Sequence, residues 1–384
     1  MNPLYFLFFY AAIYMGNALF GNFFPIYLNA KGFSQAEIGI LLSIGPIISM
    51  VGQPAWGIIA DKTQARNRVL QALLLGSGAA MLLMPLSDSF LYVLLMIGVF
   101  MLFQSSIFPM SDAVTLEELD RHKSWNFGII RLGGTIGFAI MSAAFGSLAG
   151  HRVDAIFWTY ACVMAAATFL TLRFPASSAS AAPRIATGFG SLFRNANLMI
   201  YLGYSFTIQT TLGFYYSFYP IYLTQLGGDN ALLGWSMFIS AFSELPFLLF
   251  AGPILKRIPI GAVLAVAGLL TSVRWLLFSQ LPAPHWVLPV QVLHGGIFIV
   301  LTVAMATYIN RTVAPEWKAS GQALHGLITF GAARIAGSLI GGFLSEAIGL
   351  RDTFLICSIF ALVCTIGFGL IARKTGRSTS ASPS

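Results

Sequence analysis

The hexapeptide Phe23-Phe-Pro-Ile-Tyr-Leu28 returns as Phe218-Tyr-Pro-Ile-Tyr-Leu223, 195 residues further along a chain of 384. At the same displacement Gly32 falls on Gly227, Gly39 on Gly234 and Gly57 on Gly252, with no gap. Five identities within six positions, followed by three glycines in register, mark a duplicated unit. Each copy is apolar almost throughout, so whatever one copy folds into, the chain contains two of them in tandem. Internal repeats of this size in hydrophobic sequence are the mark of secondary transporters.

The solvent of such a chain follows from its charge. Charged residues make up 9% of the sequence, against 57% apolar, whereas a soluble domain carries about 25% charged residues. The surface cannot be covered for water, and lipid is the expected solvent. The first apolar run is too long for a cleaved leader and reads as a membrane helix. Cys162, Cys357 and Cys364 lie singly within apolar runs, which indicates neither a disulfide framework nor a metal site.

Stretches able to cross about 30 Å of hydrocarbon lie at roughly 3–29, 37–60, 68–86, 90–116, 126–149 and 153–173, then at roughly 196–225, 231–255, 259–281, 286–310, 318–347 and 352–373. The fold expected is an all-α membrane protein with twelve transmembrane helices in two six-helix halves. The domains are 1–174, a cytoplasmic linker at 175–195 rich in Ser, Ala and Pro, and 196–384 ending in a short disordered tail. With the N-terminus in the cytoplasm, fifteen of the 21 Lys and Arg residues fall on the inner side and only Lys31, Arg152 and Arg351 on the outer. That asymmetry predicts cytoplasmic termini in a bacterial inner membrane. The formal charge of +8 then reflects the anionic inner leaflet, not nucleic acid.

Between the second and third spans stands Gly57-Ile-Ile-Ala-Asp61-Lys-Thr-Gln-Ala-Arg66-Asn-Arg68. A small residue there lets two helices approach, a carboxylate caps a helix or pairs with a base, and arginines hold the inner face. The segment resembles the gating loop of the major facilitator superfamily; its second copy, Gly252-Pro-Ile-Leu-Lys256-Arg257, has lost the acid. Within that superfamily the chain is most similar to the branch of lactose permease and the phenylpropionate–proton symporters. The similarity is carried by the Tyr-rich first span, Ile130-Arg-Leu-Gly-Gly-Thr-Ile-Gly-Phe138 on the fifth and Gln291-Val-Leu-His-Gly-Gly-Ile-Phe298 on the tenth. The fifth span lacks the Gly-Pro…Gly-Gly pattern of drug–proton antiporters, which speaks against efflux of amphipathic compounds, the alternative reading.

Charges inside the membrane are costly enough that each needs a reason. Asp112 and Arg131 fall at matching depth on the fourth and fifth spans. They form either a clamp between the two helices or a substrate contact. Glu244 is the one carboxylate in the core of the second half, where the repeat places Ser49 in the first. Desolvation suits such an acid to carrying a proton. Arg334 lies on a face of Gly331, Gly337, Ser338 and Gly341, turned towards other helices and not lipid. Arg274 and His294 share a depth near the outer side.

The resemblance to lactose permease implies that Glu244, Arg274 and His294 belong to a coupling network; Arg334, at the depth of Glu244, is read from its position as neutralising that acid or binding an anionic group of the substrate. It implies too that Asp112 and Arg131 hold substrate, with Phe138 where that permease stacks a sugar on tryptophan. An acid found one turn after the histidine in the relative is replaced here by Ile297. Asn17, Gln53, Gln209 and Gln291 are further polar candidates for substrate binding, and the phenols of the seventh span for an aromatic pocket. Gly133-x-x-x-Gly137 and Gly337-x-x-x-Gly341 are assigned to helix packing. No nucleophile–base pair, metal cluster or phosphate loop supports an enzyme. The expected function is proton-coupled symport of a small organic solute by alternating access. It needs no cofactor beyond the proton gradient, and the partners are substrate, protons and membrane lipid around a monomer.

Overall fold

Both copies of the repeat end their first helix in the same way. In the computed structural model, which describes residues 4–121, 126–150, 152–174 and 190–379, Gly32 and Gly227 adopt φ of +87° and +86°. This left-handed conformation is one that only glycine enters without strain. Two residues after each glycine comes a polar cap. Ser34 and Glu37 form a reciprocal capping box at the start of the second helix, and Asp229 accepts from the amide of Leu232 at 2.7 Å at the start of the eighth. The glycine offset seen in sequence is therefore one helix stop used twice, and the polar residue two places on starts the next helix in both copies.

Twelve long helices follow in chain order: α1 Leu4–Ala30, α2 Gln35–Thr63, α3 Arg66–Leu83, α4 Phe90–Arg121, α5 Phe127–Ala149 and α6 Ala155–Thr171, then α7 Ala196–Gln225, α8 Asn230–Arg257, α9 Ile260–Ser279, α10 Leu293–Thr312, α11 Pro315–Ile348 and α12 Leu350–Thr379. No strand occurs among the described residues. Nine of these helices, among the described residues, are by themselves long and apolar enough to cross a membrane, and α6 is a shorter apolar helix. α7 and α8 have the length, 30 and 28 residues, but carry the Tyr, Thr and Gln residues and the Glu244 discussed below. Many Leu, Ile and Phe side chains are exposed, Leu148 and Leu91 among them. On a membrane helix this is the face presented to lipid. The predicted linker residues 175–189 and the last tail residues, 380–384, lie outside the described part.

Packing divides the chain into two units. One comprises Met1–Pro183 with Tyr216–Phe238, the other Arg184–Tyr215 with Ile239–Ser384. In the first, α1 lies against α5. A Cβ added at Gly137 would stand 2.3 Å from the carbonyl of Ala11, and one at Gly133 2.5 Å from that of Leu7. The two backbones touch, as expected of small-residue spacing in membranes. In the second unit α9 meets α12 through Ser272 and Ser358, each of which hydrogen-bonds the other's backbone carbonyl. Tyr204 of α7 reaches the carbonyl of Leu264 and the hydroxyl of Thr365.

Candidate functional site

The glycine–aspartate–basic segment turns out to be an ion-pair staple. Arg66, buried at the start of α3, reaches Asp61 at the end of α2 (3.3 Å) and Glu117 on α4 (3.6 Å). Asp61 does not cap α3, whose N-cap residue is Ala65. Of the two roles open to it in sequence, pairing is the one observed. Gly57 has no neighbour within 4 Å of where a Cβ would stand, and Arg68 is exposed. Glu117 was not singled out from the sequence. The signal for it is the run of acids that ends α4.

In the first unit Asp112 and Arg131 meet as their depths predicted. The guanidinium donates to Asp112 Oδ2 at 3.2 Å, and the other carboxylate oxygen takes a 2.5 Å hydrogen bond from Tyr10. Tyr10 is a third member that sequence reasoning passed over. It is buried on α1, and Tyr14, one turn on, also reaches Arg131. Asp112 is thus held from α1 and α5 together. Phe138 lies two turns beyond Arg131 on α5, partly exposed. Asn17 is half-buried on α1.

Gln53 has a specific partner. Pro109 in α4 has no amide hydrogen, so the carbonyl of Ser105, four residues earlier, loses its helical donor. The side-chain amide of Gln53 supplies that donor at 3.0 Å.

The second unit brings Glu244, His294, Arg274 and Gln291 into one chain of contacts. Arg274 is fully buried. Its Nη2 donates to Gln291 Oε1 at 2.5 Å, and its Nη1 stands 3.0 Å from His294 Nδ1. His294 Nε2 lies 3.4 Å from Glu244 Oε1. Tyr215 adds a second hydrogen bond to Gln291 Oε1 at 3.1 Å. The guanidinium carbon sits over the rings of Tyr215, Trp275 and Phe278 at 4.4, 5.0 and 5.4 Å. Its charge is therefore met by ring faces and neutral acceptors, and the carboxylate of Glu244 acts on it through the imidazole between them. Arg334 lies close enough to His294 to act on it electrostatically.

Local chain geometry sets this arrangement. The region before α10 is broken into a turn at Pro284–Trp286 and a short helix at Val287–Gln291, and α10 proper begins at Leu293. The first amides of a helix have no internal acceptor. Here the amide of Gly295 donates to Ser243 Oγ on α8 at 2.9 Å. A Cβ at Gly295 would lie 1.9 Å from the carbonyl of Ser243. Glycine thus allows α8 and α10 to touch, and Glu244 and His294, the residues next to this contact, are brought together by it.

Gln209 lies buried on α7, and neither atom of its amide has a protein partner. Of the phenols on α7, Tyr204, Tyr215 and Tyr219 are buried and bonded to neighbouring helices, Tyr219 to Ser236 at 2.6 Å. They join helices. Among the described residues no group of three His, Cys, Asp or Glu side chains could hold a metal ion.

A set of membrane-crossing helices that holds a few ionisable side chains between them is the architecture of membrane transporters. The profile of the MFS_1 like family matches residues 1–356, and the chain belongs to that family, within the major facilitator superfamily. It is 28% identical to a maltose permease of Geobacillus stearothermophilus, over 96% of this chain and 93% of the relative. It is 24% identical to the "Probable 3-phenylpropionic acid transporter" of Escherichia coli (strain K12), over 92% and 93%. The crystal structure of the nucleoside transporter NupG superposes with a TM-score of 0.86 at 19% identity, over 96% of this chain and 98% of that one.

Proposed function

We propose that this protein is a proton-coupled symporter that takes up a small organic solute bearing a carboxylate across the bacterial inner membrane, by alternating access and with both termini cytoplasmic. The observation that carries the reading is the direction of hydrogen bonding in the second unit. A guanidinium only donates, so Nδ1 of His294 accepts from Arg274 and the proton of the neutral ring lies on Nε2, facing Glu244. A second proton on the imidazole would set an N–H against the guanidinium. The proton that enters this network is therefore taken by Glu244.

Charge balance then supplies coupling. Ionised Glu244 is the counter-charge for Arg274 and Arg334. Protonation removes it, leaving two cations that favour an anionic solute. In the first unit Arg131 and Phe138, two turns apart on α5, suit a solute with a carboxylate near a ring. The maltose, phenylpropionate and nucleoside specificities named for the relatives bracket the size of solute expected. The decisive experiment is flux in proteoliposomes. An inward proton gradient should drive accumulation of an aromatic acid such as 3-phenylpropionate and alkalinise the outside. Accumulation only against the proton gradient, as in exchange, would replace symport by efflux. Equal uptake of neutral sugars and acids would remove the carboxylate from the proposal.

A further inference from the structure

Among the described residues, six buried side chains of the second unit hold polar atoms that have no protein partner. Two are Arg274 at Nε and Ser320 at Oγ; the other four are Ser205 Oγ and Gln209 Oε1 and Nε2 on α7, and His325 Nε2 and Thr329 Oγ1 on α11. The exposures of these four are 0%, 1%, 4% and 0%. Such groups are few in native proteins, and inside a membrane an unmet polar group has no solvent to turn to.

The four stand at matching levels of the two helices, one and two turns before a contact of their backbones. A Cβ at Gly213 would lie 2.9 Å from the carbonyl of Ala333 and 3.3 Å from the Cα of Gly337, and one at Gly337 would lie 2.3 Å from the carbonyl of Thr210. α7 and α11 therefore run side by side with backbones in contact. Gln209 and Ser205 stand one and two turns before Gly213. Thr329 and His325 stand one and two turns before Ala333. Just here α11 changes its winding: Leu327–Ala332 is a π turn, closed by the amide of Ala333 on the carbonyl of Ile328. A π turn inside an α-helix leaves a backbone carbonyl short of its amide, and such turns are concentrated at functional positions.

The chemistry of the unmet atoms selects the ligand. A cation would face the amide N–H of Gln209, and an anion would face its carbonyl oxygen. The two hydroxyls both donate and accept. What satisfies the whole set is a small neutral molecule that donates and accepts at once. We infer that the α7–α11 seam is a binding site for water, held by Ser205, Gln209, His325 and Thr329 around the π turn of α11. Bound water also completes the carbonyl left by that turn. It thereby holds the register of the helix immediately before Arg334. The inference rests on the second unit alone and is independent of which solute is carried.

X-ray hydroxyl-radical footprinting of the purified protein in lipid nanodiscs tests it, because radiolysis makes radicals from water already in place. His325 should be oxidised despite its burial, while Trp275, equally buried but bonded to Thr211, stays unmodified. Oxygen from heavy-oxygen water should enter His325 later than it enters surface residues. In the double variant Gln209→Leu/Thr329→Val, which removes two of the side chains that hold the water, oxidation of His325 should fall to the level of Trp275. Wild-type His325 as inert as Trp275 would overturn the site, as would oxygen entry as fast as at the surface. Should the double variant not fold, the wild-type comparison of His325 with Trp275 decides alone.

Discussion

Arg274 donates from Nη1 to Nδ1 of His294 across 3.0 Å, and the direction of that bond fixes where the ring carries its proton. His294 becomes a one-way connector, accepting from the arginine and donating towards Glu244. Gln291 and Tyr215 hold the other edge of the guanidinium, so the arginine is oriented from both sides. The carboxylate on α8 and the arginine on α9 are thus linked through the imidazole of His294.

Replacing Glu244 by Gln keeps the shape of the site and removes the group that changes charge. Proton-driven accumulation should be lost while solute exchange persists. Parallel assays of gradient-driven uptake and counterflow in the same vesicles check this. Unchanged accumulation would mean that another group carries the proton. His294→Phe should damage exchange as well, because it strips Arg274 of an acceptor in a fully buried setting.

Asp112 is held by two donors, Arg131 and Tyr10, and a simple exchange of charges cannot reproduce both. The swapped pair Asp112→Arg with Arg131→Asp should therefore remain inactive at normal expression. Tyr10→Phe alone should weaken solute binding while leaving the ion pair. A swap that restored transport would show that the pair only clamps α4 to α5, and the KM of Tyr10→Phe would then be unaltered.

Gly295 and Gly98 are both helical glycines, but only the first has a neighbour. Gly295→Ala drives a Cβ into the carbonyl of Ser243, whereas nothing lies within 4 Å of a Cβ at Gly98. Overpacking of this kind costs about 1–3 kcal/mol. An alanine in an open helical position gains roughly 0.5–1 kcal/mol over glycine. Thermal unfolding in detergent should separate the two variants in opposite directions. Only Gly295→Ala should also impair gradient-driven uptake.

Gln53 and Pro109 form a compensating pair. Gln53→Leu leaves the carbonyl of Ser105 without a donor and should lower Tm. In a Pro109→Ala background the helix supplies its own amide, and the same Gln53 substitution should cost much less. The coupling is read from Tm values in a double-mutant cycle; additive effects would return Gln53 to the solute site.

The helices were legible because lipid imposes a rule with few exceptions: a long apolar run must close its own hydrogen bonds and cross. The repeat added the joints. Gly32 and Gly227, found as identities at a fixed offset, proved to be the left-handed stops of equivalent helices, and Ser34 and Asp229 the caps that follow. Equal depth also allowed Asp112 to meet Arg131 and set Arg274 level with His294. Depth is readable because each helical residue advances a fixed distance through the membrane. Azimuth is less so. Helix–helix contact depends on rotation, and rotation is set by which small residues let backbones touch. Tyr10, Glu117 and the role of Gln53 were missed for that reason, and the π turn of α11 shifts every face beyond it.

By itself the sequence determined that this chain is a doubled bundle of membrane helices with a few ionisable residues kept from lipid, because hydrophobic length and charge scarcity leave no other solution. Tertiary structure alone decided which polar atoms face each other. It set Nδ1 of His294 against a guanidinium on another helix, which leaves only Nε2 towards Glu244. It assigned Gln53 to a carbonyl freed by a proline 56 residues away. And it buried Gln209 of α7 and Thr329 of α11 with polar atoms that no protein group meets, close to the helix contact at Gly213 and Gly337, because rotation and not depth decides which faces are enclosed.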